Sequence, residues 1–439
     1  MSDSWPLGVM RRRSGRPPEP GAIVKPESYQ AVADLLREAG RNGTMVVPLG
    51  GLSAVTGAVD LLPGQVGLDL GALNQVLEID EHNLVARVQA GVNGLALEET
   101  LAARNLTLGH YPSSLPVATV GGLVATRSSG QESTFYGSIE DLVQGLTVCL
   151  PDGTIAEARP GPRSAVGPAL HDLFLGSEGG LGVVLEAVLR ISRAPAATIG
   201  RGYDFAGLGS GLEAMREIVQ RGIRPLVLRL YDVEDTAFQA ADANGCLLVV
   251  GTAGEPEIAA AAMHVVEAQC TATGGRDLGE QPFQRWQERR FHLSRERMLQ
   301  ALEPPGSFVD TIEVAAAWDR LPALHAAVKA ILGAEGVGLC HFSHAYPQGC
   351  CAYFTFAGSA ASEEAAEAGY QRCWGGTMEA CFRHSATIGH HHGVGQVRAP
   401  WVQREMGEWW QVWERVRSAI DPKRVMNPNA VGGIRPPSS

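Results

Sequence analysis

The stretch that decides the fold runs from Pro112 to Gly130 and reads PSSLPVATVGGLVATRSSG. It sets small residues, with Gly121 and Gly122 at its centre, where backbone N–H groups can come close to an anion, as a diphosphate requires. Two further loops share this character. They are PLGGLSAVTG over Pro48 to Gly57 and GSEGGLGVV over Gly176 to Val184. Any one of them could be an ordinary turn. Three in one region, in this order, are a much stronger signal. No GxxxxGK[ST] is present, and no GxGxxG follows a strand, since GVGQVRA lacks the third glycine.

Working outward, KPESYQAVADLLREAGRNG (Lys25 to Gly43) has a proline at its start, apolar spacing of three and four, and a closing glycine, which predicts a helix. VGLDL, VLEID and LVARVQAG are short strand-like runs, and LALEETLAARN is an amphipathic helix. LVQGLTVCLPDGTIAEA predicts two strands around a Pro151-Asp152-Gly153 turn. After about Arg193 the pattern changes. LVLRLYD, CLLVVGTAG, FVDTIEVA and CCAYFTFAG read as strands, separated by helices at PEIAAAAMHVVEAQC and LPALHAAVKAILGAEG. That pattern predicts an antiparallel sheet with helices on one side. A tryptophan-rich helix and a Pro-Asn-Pro stop follow near the end.

The chain has 439 residues, enough for two or three domains. The reading is α+β with four parts: a flexible arm over 1–17, a first domain over 18–193, a second over 194–384, and a C-terminal segment over 385–439 that returns to the first. A formal net charge of −11 argues against a nucleic-acid partner. No run is long and apolar enough for a membrane span, and MSDSWPLGVMRRRSGRPPEP lacks the apolar core of a signal peptide. The 8 cysteines form no CxxC pair and are expected as reduced core residues of a cytoplasmic protein. A homodimer is one assembly the chain allows.

At these residues the sequence resembles a known family. The three loops are similar to those of flavoproteins in the vanillyl-alcohol-oxidase group, which bind FAD through a PCMH-type domain. Within it, PSSLPVATVGGLVATRSSG, YGSIEDLV, GPRSAVGPALHDLFLGSEGGLGVV, LRLYD, HHHGVG and IDPKRVMNP resemble, in the same order, segments of the alkyldihydroxyacetonephosphate synthases. The resemblance spans roughly Val24 to Val431 and implies a two-part PCMH-type FAD-binding domain plus a cap domain with an antiparallel sheet and helices. It implies that Pro48, Gly50, Gly51 and Ser53 hold the FAD diphosphate. Ser114, Thr119, Gly121 and Gly122 would line the flavin side with Asp141 nearby, and Glu178, Gly179, Leu181, Gly182 and Val183 would complete the cradle. Members that tether FAD covalently often carry a histidine in the first loop. This chain has Ser53 and Ala54 there, and nothing in the matched motif makes His110 a tether, so non-covalent FAD is expected.

The run ATIGHHHGVGQVRAPW (Ala386 to Trp401) carries His390, His391 and His392. Related flavin 2-hydroxyacid dehydrogenases have a Glu-His pair at this turn as part of a metal-centred site. Here His391 and His392 stand in those places and the carboxylate is missing. The upstream strand CHFSHAYPQGCCAYFTF offers His344 for one further ligand but no second histidine near Tyr353, so no metal is expected. In the resembled family the histidine run and a tyrosine matching Tyr353 are active-site groups. A phenol beside imidazoles can pass a proton at a carbon next to a carbonyl. Residues alternate sides along an extended segment, so not all three histidines are expected to face the flavin.

A phosphate-bearing substrate calls for arginines. Arg229 in LRLYD matches a family arginine, its alternative being a salt bridge with Asp232 or Glu234. Arg297 is a second candidate, with Arg295 competing, and Glu313, His344 and Arg398 complete the implied substrate set. Where the family shows lysines after HHHGVG, this chain has Gln396 and Ala399. The implied reaction exchanges the acyl group of an acyl ketone phosphate for a long-chain alcohol, on a small-molecule or lipid-like substrate. The alternative is FAD-dependent oxidation of the CH–OH group of a 2-hydroxy acid or related alcohol.

Overall fold

The computed structural model describes residues 4–15, 21–157, 159, 161–239, 243–291 and 295–433, apart from the side chains of 295–297. The chain divides into two compact units. The first is Met1–Ser128, Ser138–Arg193 and His391–Ser439, and the second is Ser129–Gly137 and Ala194–His390. The boundaries therefore differ from the expected ones in two places. Nine residues from within the expected first domain, 129–137, belong to the second unit, and the C-terminal return begins inside the histidine run rather than at 385.

The first unit holds a three-stranded parallel sheet, in the order Ala22–Val24, Gln65–Asp69, Met45–Leu49. Beside it, a five-stranded antiparallel sheet runs in the order Val76–Asp80, Val85–Gln89, Val183–Arg190, Val143–Cys149, Ile155–Glu157. The expected helix forms over Tyr29–Asn42. Ser28 caps it by accepting the Ala31 N–H at 3.2 Å, and Gly43, at φ 75°, ends it in the left-handed conformation that glycine takes without strain. Its apolar face (Val32, Ala33, Leu36, Ala39) enters one core with Leu97, Val120, Leu181, Val183 and Leu185. The hairpin around Pro151-Asp152-Gly153 forms as expected, with Thr147 opposite Glu157. The arm expected to be flexible over 1–17 is instead helical over Pro6–Arg13 and buries Trp5, Leu7 and Met10. The arginine run hid this pattern, although Pro6 opens the helix and the apolar residues around it are what anchor it.

The second unit is built on a seven-stranded sheet, in the order Arg276–Asp277, Ala197–Phe205, Cys246–Gly254, Val227–Tyr231, Val337–Tyr346, Gly349–Ser359, Ser307–Ala317. All its pairings are antiparallel. One face takes the helices Leu208–Gln220, Pro256–Ala272, Leu321–Glu335 and Glu363–Arg383. On that face His325 packs against Phe342 and Phe354, and Tyr370 against Phe356. Tyr370 and Trp374 donate to the buried Asp310 carboxylate at 2.6 and 3.1 Å. The opposite face carries Tyr136, Val227, Tyr231, Val249, Phe283 and Trp286 as one apolar cluster. The stretch read as a single strand, CHFSHAYPQGCCAYFTF, is a hairpin whose turn lies at Pro347-Gln348. Among the described residues, no helix is long and apolar enough to cross a membrane.

Candidate active site

In the first unit the three glycine loops meet. A Cβ on Gly50 would run into Thr119 Oγ1, one on Gly51 into the Val117 carbonyl, and one on Gly179 would stand 2.8 Å from Pro48 Cγ. Only glycine lets the loops lie backbone against backbone. Thr119 caps the helix Val120–Thr126, accepting the Gly122 N–H, and the Gly121 N–H donates to Ala90 O at 2.8 Å. Leu52 (φ 54°) and Ser53 are part-exposed, and among the described residues no protein acceptor takes their N–H groups. Those donors are what a dinucleotide diphosphate needs, so the loops fit the cofactor. Ser114 is part-exposed and folds its own turn, its carbonyl accepting the Val117 and Ala118 N–H groups.

Five residues expected in the cradle are buried in the protein or bonded to other parts of it. Leu181 and Val183 send their side chains into the hydrophobic core, so Gly182 between them belongs to a buried stretch of backbone. Asp141 is exposed and closes a capping box with Ser138, whose N–H it accepts at 2.9 Å. Glu178 turns its carboxylate to the C-terminal return, accepting N–H groups of Val394 (2.7 Å), Gly395 (3.0 Å) and Val431 (3.1 Å). Burial pushes this carboxyl up to about 7, against the pull of those N–H groups and of Arg398. Arg398, expected at the substrate, is 1% exposed and donates to Gly393 O at 2.9 Å, so it serves this clasp. Asn427 completes it, donating to Ala58 O and Glu178 O. His110 is fully buried, with Nε2 3.3 Å from Ser128 Oγ, and burial lowers it to about 3.

In the second unit, strand register builds a polar row across four strands. Glu313 stands opposite Tyr353, Tyr353 opposite His341, and His341 opposite Tyr231. The His341 and Tyr353 rings stack with centroids 4.7 Å apart. Arg229 lies two residues before Tyr231 on the same face, its guanidinium over the Tyr231 ring and its Nη2 3.3 Å from His341 Nδ1. The alternative salt bridges for Arg229 do not form. Asp232 pairs with Lys329 at 2.9 Å and His325 at 3.1 Å, and Glu234 pairs with Lys329 at 3.2 Å. Asp235 Oδ2 lies 3.6 Å from His341 Nδ1. Burial, with the Arg229 charge, lowers His341 to about 4 despite that carboxylate, and burial pushes Tyr353 up. Both rings are therefore neutral around pH 7.

The boundary between the two units falls inside the histidine run, after His390. His390 accepts or donates to Tyr346 Oη at 2.9 Å through Nε2, sits with its ring 5.0 Å from His344, and gives its backbone N–H to Glu313. His344, at φ 50° on a bulge of its strand, bonds Ser133 Oγ through Nδ1 at 2.6 Å. His391 and His392 belong to the first unit and meet edge to face at 4.5 Å. Arg297 falls on the helix Arg295–Ala301, with its side chain outside the described residues. Sequence reading missed His341, Tyr231, Asp235 and Ser133. The YPQG turn was the available signal for His341, because a hairpin centred there lays it against Tyr353.

These two constellations, a glycine-loop cradle and a titratable row on an antiparallel sheet, define a PCMH-type FAD-binding domain with a cap domain. Two family models match: the FAD binding domain over residues 20–159, and the C-terminal domain of FAD linked oxidases over 198–431. The chain belongs to the FAD-linked oxidase family, and FAD is its cofactor. Among characterised relatives, it is 30% identical to an alkyldihydroxyacetonephosphate synthase of Dictyostelium discoideum, over 93% of this chain and 72% of that protein. It is 32% identical to the uncharacterized FAD-linked oxidoreductase YgcU of Escherichia coli (strain K12), over 94% of this chain and 89% of that one. A solved alkyldihydroxyacetonephosphate synthase superposes with a TM-score of 0.81 at 26% identity, covering 97% of this chain and 80% of that one.

Proposed function

We propose that this protein is an FAD-dependent transferase of the alkyldihydroxyacetonephosphate synthase type, exchanging the acyl group of an acyl ketone phosphate for a long-chain alcohol. The observation that carries the reading is the row Glu313–Tyr353–His341–Tyr231 with Arg229 beside it. FAD, when bound, supplies an electron-accepting ring. This chain's own groups bind the substrate and manage its protons. Arg229 takes the phosphate through its guanidinium fork. Tyr353 holds its phenolic proton, so it can donate to, or after loss accept from, the carbon next to the carbonyl. Neutral His341, stacked on Tyr353, steadies the ring without adding a competing charge.

Relatedness to YgcU supports a second reading, oxidation of a CH–OH group. The two differ in products. Purified FAD-loaded protein given acyl-dihydroxyacetone phosphate and a labelled long-chain alcohol should release the fatty acid and form the ether ketone phosphate in equal amounts, without an electron acceptor. Failure to form the ether product, with turnover that needs an acceptor, would replace the transferase reading by the oxidation.

A further inference from the structure

The pairs Leu230↔Phe342 and Tyr231↔His341 fix the register between their two strands. Arg229 and Ser343 stand one residue beyond the last of these pairs on their two strands, and Ser343 is in turn paired with Cys351 and Cys351 with Ala315. This second row lies beside the first, on the same face, because side chains two residues apart share a face. It differs in kind. Its centre is the small side chains of Cys351 and Ala315, beside the stacked pair His341–Tyr353. In this row two polar atoms are buried without a hydrogen-bond partner among the described residues, Arg229 Nε and Ser343 Oγ. Ser343 is only 5% exposed. A buried hydroxyl left unmatched costs stability, and here the two unmatched groups come from residues of adjacent strands, each one step beyond the last paired positions.

We propose that Ser343 is a substrate-binding residue, sharing an anionic oxygen of the substrate with Arg229 beside Tyr353. The ligand class is a small oxyanion, and on the function proposed above, on which this inference rests, it is the phosphate monoester of the ketone substrate. Arg229 supplies charge. Ser343 supplies the directional O–H that fixes which oxygen lies against the row. A carboxylate of a 2-hydroxy acid would satisfy the same two donors, so the two sources are separated by experiment.

The probes are dihydroxyacetone phosphate and D-lactate, titrated by calorimetry into the FAD-loaded protein and its Ser343→Ala variant, with melting temperatures measured in parallel without ligand. Because Ser343 Oγ has no partner among the described residues, Ser343→Ala should melt no lower than the parent. It should bind dihydroxyacetone phosphate about ten-fold more weakly or worse, the cost of one hydrogen bond to a charged group. Weakened binding of lactate in place of the phosphate would keep Ser343 in its role and transfer the doubt to the proposed transferase substrate. Unchanged affinity in Ser343→Ala, a melting temperature several degrees lower, or no binding of either anion to the parent protein would overturn the assignment. In the last case the product assay still judges the proposed reaction by itself.

Discussion

The glycine-loop cradle of the first unit and the polar row of the second are built by opposite means. The cradle is written in contiguous runs. Each loop supplies its own small residues, and close approach of backbones does the rest, as at Gly51 against Val117. The row has no contiguous run at all. Glu313, Tyr353, His341 and Tyr231 come from four strands and meet only because the hydrogen-bond ladders are in one register. A one-residue slip would turn each of them to the helix-covered face. Backbone chemistry can thus be seen in a single stretch of sequence, whereas side-chain chemistry of this kind exists only once the sheet is assembled.

The contrast predicts different failures. Tyr353→Phe should keep fold and flavin and lose turnover by roughly 10²–10⁴-fold, as expected for a missing acid–base group. Steady-state kinetics alongside the flavin absorbance of the purified variant would show it, and near-normal turnover would make Tyr353 a core aromatic. Gly51→Val should do the reverse. Its side chain has no room against Val117, so overpacking of about 1–3 kcal/mol or more accompanies loss of bound FAD, read as a fallen flavin-to-protein absorbance ratio.

Glu178 tests the clasp through pH. Its carboxyl is raised from 4.5 to about 7 in the folded protein. The folded state therefore holds the proton more tightly than the unfolded state. The associated stability is complete below the unfolded value and drains away as pH rises through the folded value near 7. Glu178→Gln should flatten the fall in melting temperature between pH 5 and about 7 expected of the parent. An undiminished slope in the variant would assign the effect to another group. The smallest change is expected at Asp141→Ala. Loss of a capping-box partner should cost about 1 kcal/mol in denaturant unfolding and leave FAD binding intact, whereas loss of FAD would return Asp141 to the cradle.

Legibility followed the same division. The loops at Pro48, Gly121 and Gly179, the Pro151-Asp152-Gly153 hairpin and the helix over Tyr29–Asn42 are local patterns, and each was readable. Tyr353, Arg229 and Glu313 were singled out through family resemblance, and nothing in their spacing places them together. His341 escaped because Val337–Tyr346 and Gly349–Ser359 looked like one strand, which removes the cross-strand pairing that matters. Glu178 and Arg398 were placed at ligands through the family resemblance. The partners of Glu178 are backbone groups of Val394, Gly395 and Val431, more than two hundred residues away in sequence, which no local reading can supply, whereas Arg398 donates to the nearby Gly393 carbonyl. The helix Pro6–Arg13 was lost to the three arginines that end it.

The central claim is that the row acts on an acyl ketone phosphate rather than on a 2-hydroxy acid. The most direct measurement is the absorbance of the oxidised, FAD-loaded protein, mixed anaerobically with each substrate class in turn. A panel of 2-hydroxy acids should leave the oxidised flavin spectrum unchanged. Acyl-dihydroxyacetone phosphate should perturb it, with the oxidised spectrum regained once a long-chain alcohol is added, and Arg229→Ala should abolish the perturbation. Stoichiometric bleaching of the flavin by any 2-hydroxy acid, with an oxo acid as product, would contradict the account.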